Sequence, residues 1–139
     1  MSEPEPTTES SNKDHDPPVI TILLIEDDLK FARVVEKVLG ARGYEVLHAP
    51  TALEGLQLAE EDRIKLVLLD IDLPDLDGKV VATMLRARPG LRDVPIIAVT
   101  AQDGSTARRL IRGFGCDGHI PKPVDTRQFP DQIASYLDR

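Results

Sequence analysis

Four short runs of strand-forming character in this sequence lead into polar side chains of complementary kinds. Glu26 and Asp27 follow Val19–Ile25, Asp70 follows Leu66–Leu69, Thr100 follows Val94–Val99, and Lys122 comes just after Gly118–Ile120. Three carboxylates brought to one point repel each other. At about 4 Å a like pair costs on the order of 1 kcal/mol in water and several times that in a lower dielectric, so one of them keeps a proton unless a cation is present. A hard divalent ion removes the conflict, and Mg²⁺ suits it because it takes a few carboxylate oxygens and keeps several waters. An ammonium such as Lys122 facing that site suits a ligand with more negative oxygens than the metal alone neutralises, and a phosphoryl group fits. Asp70 is the candidate nucleophile, since an aspartate can form an aspartyl-phosphate. Thr100 offers a hydroxyl to a phosphoryl oxygen, and Ala101 beside it leaves room. Singly, Thr100 is equally a turn residue and Lys122 a surface lysine. As a set they point to phosphoryl transfer, where positioning and charge stabilisation do most of the catalysis.

The convergence depends on the elements between these residues. Val19–Ile25, Leu66–Leu69 and Val94–Val99 are uncharged, as expected of strands covered on both faces. Tyr44–Ala49 and Gly118–Ile120 are shorter strands. Helical spacing appears over Leu29–Arg42, closed by Gly43, and again over Lys79–Arg88 before Pro89-Gly90. Thr51 and Glu54 form a capping box for a helix over Ala52–Glu61. Further helices are expected over Thr106–Phe114 and Thr126–Leu137, with Pro130 awkward in the last. Five strands alternating with five helices predict an α/β fold, a doubly wound parallel sheet in the order 2-1-3-4-5. Its functional crevice lies at the carboxyl ends of the first and third strands. The polar groups above stand at that rim.

Composition narrows the partners. The 139 residues are 41% apolar and 29% charged, with no Trp and one Cys, so one domain with an aliphatic core and no internal disulfide is expected. Cys116 is expected to be buried or half-buried. Of the net charge of −7, residues 1–18 hold five acids against Lys13, which leaves about −3 for the remainder. Nothing in that balance favours nucleic acid, whose phosphates demand a basic face, and no apolar run nears the roughly 20 residues that span a bilayer. With no signal peptide legible, a cytoplasmic protein is expected. Residues 1–18 are rich in Ser, Thr, Pro and Glu and predict a disordered acidic tail.

Residues 19–139 resemble the receiver domain of two-component response regulators. The likeness rests on Leu23-Leu24-Ile25-Glu26-Asp27-Asp28, on Leu68-Leu69-Asp70-Ile71-Asp72-Leu73-Pro74 with Asp77-Gly78, on Val99-Thr100-Ala101, and on Pro121-Lys122-Pro123. It implies a flavodoxin-like (βα)5 fold in which Asp70 takes phosphate from a phosphohistidine on a sensor histidine kinase or histidine phosphotransfer protein. It also implies that Asp27 ligates Mg²⁺ directly, Glu26 acts mainly through water, and the main-chain carbonyl of Asp72 is a further ligand. Asp28 then caps the first helix, and Lys122–Pro123 is a cis peptide. Such a domain catalyses only its own phosphorylation and dephosphorylation, and it switches a surface read by a downstream target protein. A stand-alone regulator, a phosphorelay shuttle and a piece of a longer protein are all compatible with this length, and the resemblance implies that Lys30, Arg33 and Lys37 face the donor and that Asp72 and Gln102 tune phosphate lifetime. Arg108, Arg109 and Arg112 form either a docking patch or solvated charge.

One position departs from the family. The switch pairs Thr100 with an aromatic residue three before the lysine, usually Tyr or Phe, and here that residue is His119. An imidazole is smaller and polar, so looser coupling is expected. Two other readings compete. Asp70 and Asp72 resemble the acid pair of haloacid-dehalogenase-type phosphatases, but Pro74 and the early acidic pair do not fit that pattern. A receiver-like interaction module without phosphorylation is the second, although it would be free to lose the residues retained here. A calcium loop starting at Asp70 fails, with Asp75 and Val81 at its sixth and twelfth positions.

Overall fold

The computed structural model describes residues 19–61, 63–101, 104–105, 108–109, 113 and 115–138. The predicted tail, Gln102, Arg112 and both ends of the expected Thr106–Phe114 helix lie outside the described residues. The strands are β1 (Thr21–Ile25), β2 (Glu45–Ala49), β3 (Ile64–Asp70), β4 (Ile96–Thr100) and β5 (Gly118–Pro121). The helices are α1 (Leu29–Gly40), α2 (Ala52–Leu58), α3 (Gly78–Arg86) and α4 (Phe129–Leu137), with a 3₁₀ turn at Pro89–Leu91. Between β4 and β5, Gly104, Ser105, Arg108, Arg109 and Gly113 are helical. No helix among the described residues is long and apolar enough to cross a membrane.

All strand pairs are parallel, and their order is β2-β1-β3-β4-β5, as the alternation predicts. Strand side chains alternate between faces, and here both faces are aliphatic. Leu23, Ile25, Val67, Leu69, Ile96 and Ala98 pack against Leu56 of α2 and Val81 and Leu85 of α3. Ile22, Leu24, Leu66, Leu68, Ile97 and Val99 pack against Val35 and Leu39 of α1 and Phe129 and Ile133 of α4. Truncating one of these buried leucines to alanine costs about 2–5 kcal/mol. Cys116 is buried, as expected.

The caps fix where the helices start and stop. Asp28 accepts from the N–H groups of Lys30 and Phe31 at 3.0 and 3.2 Å, the expected cap of α1. Gly43 adopts φ 88°, and the bonds Tyr44 N–H to Leu39 O and Gly43 N–H to Gly40 O close the helix in a Schellman pattern. Thr51 Oγ1 accepts from Glu54 N–H at 3.1 Å, and Asp77 caps α3 through Lys79 N–H at 2.9 Å. The last helix begins at Phe129 and not at Thr126. Asp125 heads a turn there, its carbonyl accepting from Gln128 and Phe129 and its side chain from Arg127. Pro130 then falls in the first helical turn, where a missing N–H costs nothing. Strand β3 also starts earlier than the uncharged run implies, because Lys65 points to solvent between buried Ile64 and Leu66.

Two contacts brace the end of the sheet opposite the polar rim. Arg86, near the end of α3, donates to the carbonyls of Leu91, Arg92, Val94 and Gly115 and to Asp117 Oδ2. Gly118 at the start of β5 lies under the phenol of Tyr136 near the end of α4, and a Cβ there would collide with the ring and its hydroxyl.

Candidate functional site

The rim is built by strands that end side by side. Asp70 is the last residue of β3 and pairs in register with Val99, so Thr100 lies one residue beyond it on the neighbouring strand. Thr100 pairs in turn with Pro121, and its carbonyl accepts from Lys122 N–H at 3.0 Å. On the other side of β3, Glu26 follows β1, and its N–H is held by Ala49 O at 2.9 Å. Glu26, Asp70 and Thr100 are buried, whereas Asp27 is exposed. The Lys122–Pro123 bond is cis.

Carboxylate oxygens of Glu26, Asp27 and Asp70 lie within 4.8 Å of one another. Lys122 Nζ sits 2.9 Å from Glu26 Oε1 and 3.8 Å from Asp70 Oδ2. It also lies 4.6 Å from the centroid of the Phe31 ring, a cation–π arrangement. Asp70 Oδ1 accepts from Asp72 N–H at 3.0 Å, and Glu26 Oε2 accepts from Asp28 N–H at 3.1 Å. Burial pushes the Asp70 carboxyl up to about 7, Glu26 adds to the rise, and Asp72 N–H and Lys122 oppose it. Burial alone would lower the Lys122 ammonium, but its bond to Glu26 and the charges of Asp70, Glu26 and Asp28 raise it above its usual value. The Asp70 shift is mainly the cost of burying a charge, with Glu26 adding to it, whereas the Lys122 shift is the response of an ammonium to the carboxylates around it.

A hard divalent cation fits this donor set. All the donors are oxygens, and Glu26 Oε1 is buried with no hydrogen bond, held only by the ammonium of Lys122. The arrangement can concentrate cations around a carboxylate and leave that carboxylate able to attack an electrophilic phosphorus.

Of the sequence-derived candidates, Glu26, Asp27, Asp70 and Lys122 come together through their side chains. Asp72 enters through its main chain, and its exposed side chain is outside the carboxylate group. His119 is half-buried in β5 directly opposite Ala98, on the sheet face that Thr100 shares. Three contributors escaped the sequence reading. Phe31 has the periodicity of an ordinary core residue. His48, inside β2, donates from Nε2 to the Glu26 carbonyl at 2.7 Å. Asp75 reaches α2, as described below. An aromatic one turn beyond an acidic pair was the only available signal for Phe31.

Comparison with known proteins decides the family. The family model of the response regulator receiver domain matches residues 22–134. The chain belongs to the response regulator receiver family. Over 117 residues it is 36% identical to the polar-differentiation response regulator DivK of Brucella anthropi, a match spanning 84% of this chain and 95% of that protein. A CheY-like receiver domain protein from Methanospirillum hungatei superposes with TM-score 0.78 at 33% identity, covering 87% of this chain and 95% of the other. The receiver domain of the sensor histidine kinase PA1611 from Pseudomonas aeruginosa gives TM-score 0.79 at 29% identity, over 88% and 100% of the two chains. That structure holds a magnesium ion in its active-site cleft. As a receiver, this protein is a phosphoacceptor signalling module of two-component systems.

Proposed function

We propose that Asp70 is the phosphoacceptor and that this receiver takes its phosphoryl group from a phosphohistidine on a sensor histidine kinase or a histidine phosphotransfer protein. An Asp70 carboxylate oxygen attacks phosphorus, the N–P bond breaks, and its electron pair returns to the donor imidazole. Asp72 N–H orients the carboxylate from one side. Lys122 lies across the other oxygen, where it balances phosphoryl charge. The Thr100 hydroxyl, at the end of the neighbouring strand, donates to a phosphoryl oxygen. Mg²⁺, held by Glu26, Asp27, Asp70 and the Asp72 carbonyl, would supply neutralisation of the remaining phosphoryl charge. Glu26 acts there mainly through water. The protein's catalysis is confined to its own phosphorylation and dephosphorylation. Its output is a surface read by a downstream protein in the cytoplasm, with Thr100 and His119 as the switch pair.

The observation that carries this reading is the position of Lys122. An acidic rim built for solubility has no need of a half-buried ammonium set between Glu26 and Asp70. Incubation with Mg²⁺ and acetyl phosphate, followed by intact-mass analysis, should give one labile phosphoryl addition on the wild type and none on Asp70→Asn. An unmodified wild type, or an equally modified variant, would overturn it.

A further inference from the structure

Residues 71–77 carry the acceptor strand into α3, and the structure pins this loop at several points. Ile71 and Leu73 are buried in the core beneath α2 and α3. Gly78 presses so closely on the Ile71 main chain that a Cβ would collide with it. Asp77 is used on α3. These anchors hold the apolar side of the loop and its far end. Asp72, Pro74 and Asp75 are exposed and form its solvent side.

Asp75 anchors that side. Its Oδ1 accepts from Ala52 N–H at 3.0 Å and its Oδ2 from Leu53 N–H at 3.2 Å, 23 and 22 positions away in sequence. The first N–H groups of a helix have no partner inside it. In α2, Thr51 serves Glu54 N–H, and Asp75 serves the two before it. Both N–H groups, Ala52 first, hold the Asp75 carboxyl below the usual carboxylate range although it is exposed. The tether is therefore a charge-assisted pair, stronger than a neutral one.

We propose that Asp75 is a positioning residue for the phosphoryl site: by tying the loop to α2, it holds the Asp72 main chain where its N–H orients Asp70 and its carbonyl meets Mg²⁺. This rests on the reading of Asp70 and its metal ligands given above. Only two residues, Leu73 and Pro74, separate Asp72 from the tether, too few for slack at one to go unfelt at the other. Groups that orient metal ligands are typically worth about 10–100-fold in metal affinity, and a tether acting through main chain belongs at the low end.

The test is Mg²⁺ affinity by calorimetry, run beside acetyl phosphate labelling across a Mg²⁺ titration. Asp75→Ala should weaken Mg²⁺ binding about tenfold and raise the half-saturating Mg²⁺ for labelling equally, with the plateau rate within about twofold. Asp75→Asn, which keeps an acceptor oxygen, should fall between. Thr51→Ala removes a different cap from the same helix, so it should lower Tm without moving Mg²⁺ affinity. Wild-type Mg²⁺ affinity in Asp75→Ala with a lowered Tm would overturn the proposal, as would equal weakening in Thr51→Ala. If Asp75→Ala does not fold, unchanged affinity in Asp75→Asn overturns it. A wild type that binds Mg²⁺ but takes no phosphoryl group would sink the reading of Asp70 and leave the calorimetric comparison intact. A wild type that binds no Mg²⁺ overturns both.

Discussion

The buried carboxylate at the rim predicts that the metal-free protein loses stability as pH rises, and that Asp70 is the cause. Loss of water around its buried carboxylate, reinforced by Glu26, lifts it from the ordinary 3.8 to about 7. Below pH about 4, the folded and unfolded chains both carry the proton; between about 4 and 7 only the folded chain does. The folded state binds more protons in that window, so its stability falls as pH rises and the full penalty stands above about 7. At about 1.4 kcal/mol per pH unit, the penalty is ~4 kcal/mol. Asp70→Asn keeps the shape and removes the titration. Urea unfolding followed by circular dichroism, in EDTA at several pH values from about 4 to 8, should show the variant gaining up to ~4 kcal/mol on the wild type across the series. Lost contact with Lys122 offsets the variant by a constant, so the slope is the test. Saturating Mg²⁺ should narrow the gap by stabilising the wild type, by ~2.7 kcal/mol at a hundredfold excess over Kd. Stability curves that run parallel with pH would refute the reasoning.

Other perturbations reach separate parts of the molecule. Lys122→Met strips Glu26 Oε1 of its ion pair and should slow labelling by acetyl phosphate by on the order of tenfold or more, with the circular dichroism spectrum unchanged. Arg86→Ala deletes five hydrogen bonds and should cost ~3 kcal/mol in urea unfolding, with Arg86→Lys recovering less than half because it lacks the planar fork. Burial pushes the Cys116 thiol up to about 11, so roughly one molecule in a thousand is thiolate at pH 8. Iodoacetamide should label it slowly in the native protein and quickly in urea.

The legible part of the site was the part placed by strand ends. Glu26, Asp70 and Thr100 each stand at the close of an aliphatic run and Lys122 just past a short strand, and parallel order brings those ends together whatever the loops do. Helix starts read from local capping also held, with Asp28 and Thr51 accepting as expected. Contacts that join distant segments through exposed polar groups were not legible. Nothing near Asp75 points to Ala52, and the Thr51–Glu54 box already looks complete. Phe31 reads as core because helical spacing does not distinguish a ring over an ammonium from a ring over leucine. The start of α4 was misjudged because Asp125 forms its own turn, a local competition that composition cannot reveal.

The missing side chain at Gly118 has a mechanical meaning. It leaves a slot for the Tyr136 phenol at the foot of β5, while Lys122 stands at the head of the same strand. Helix α4 is thus seated closely on the sheet at its base and joined to the chemistry at its top through the short Lys122–Gln128 connection. Any side chain at position 118 would have to push the ring aside, lifting the lower end of that helix from the strand that leads to the lysine.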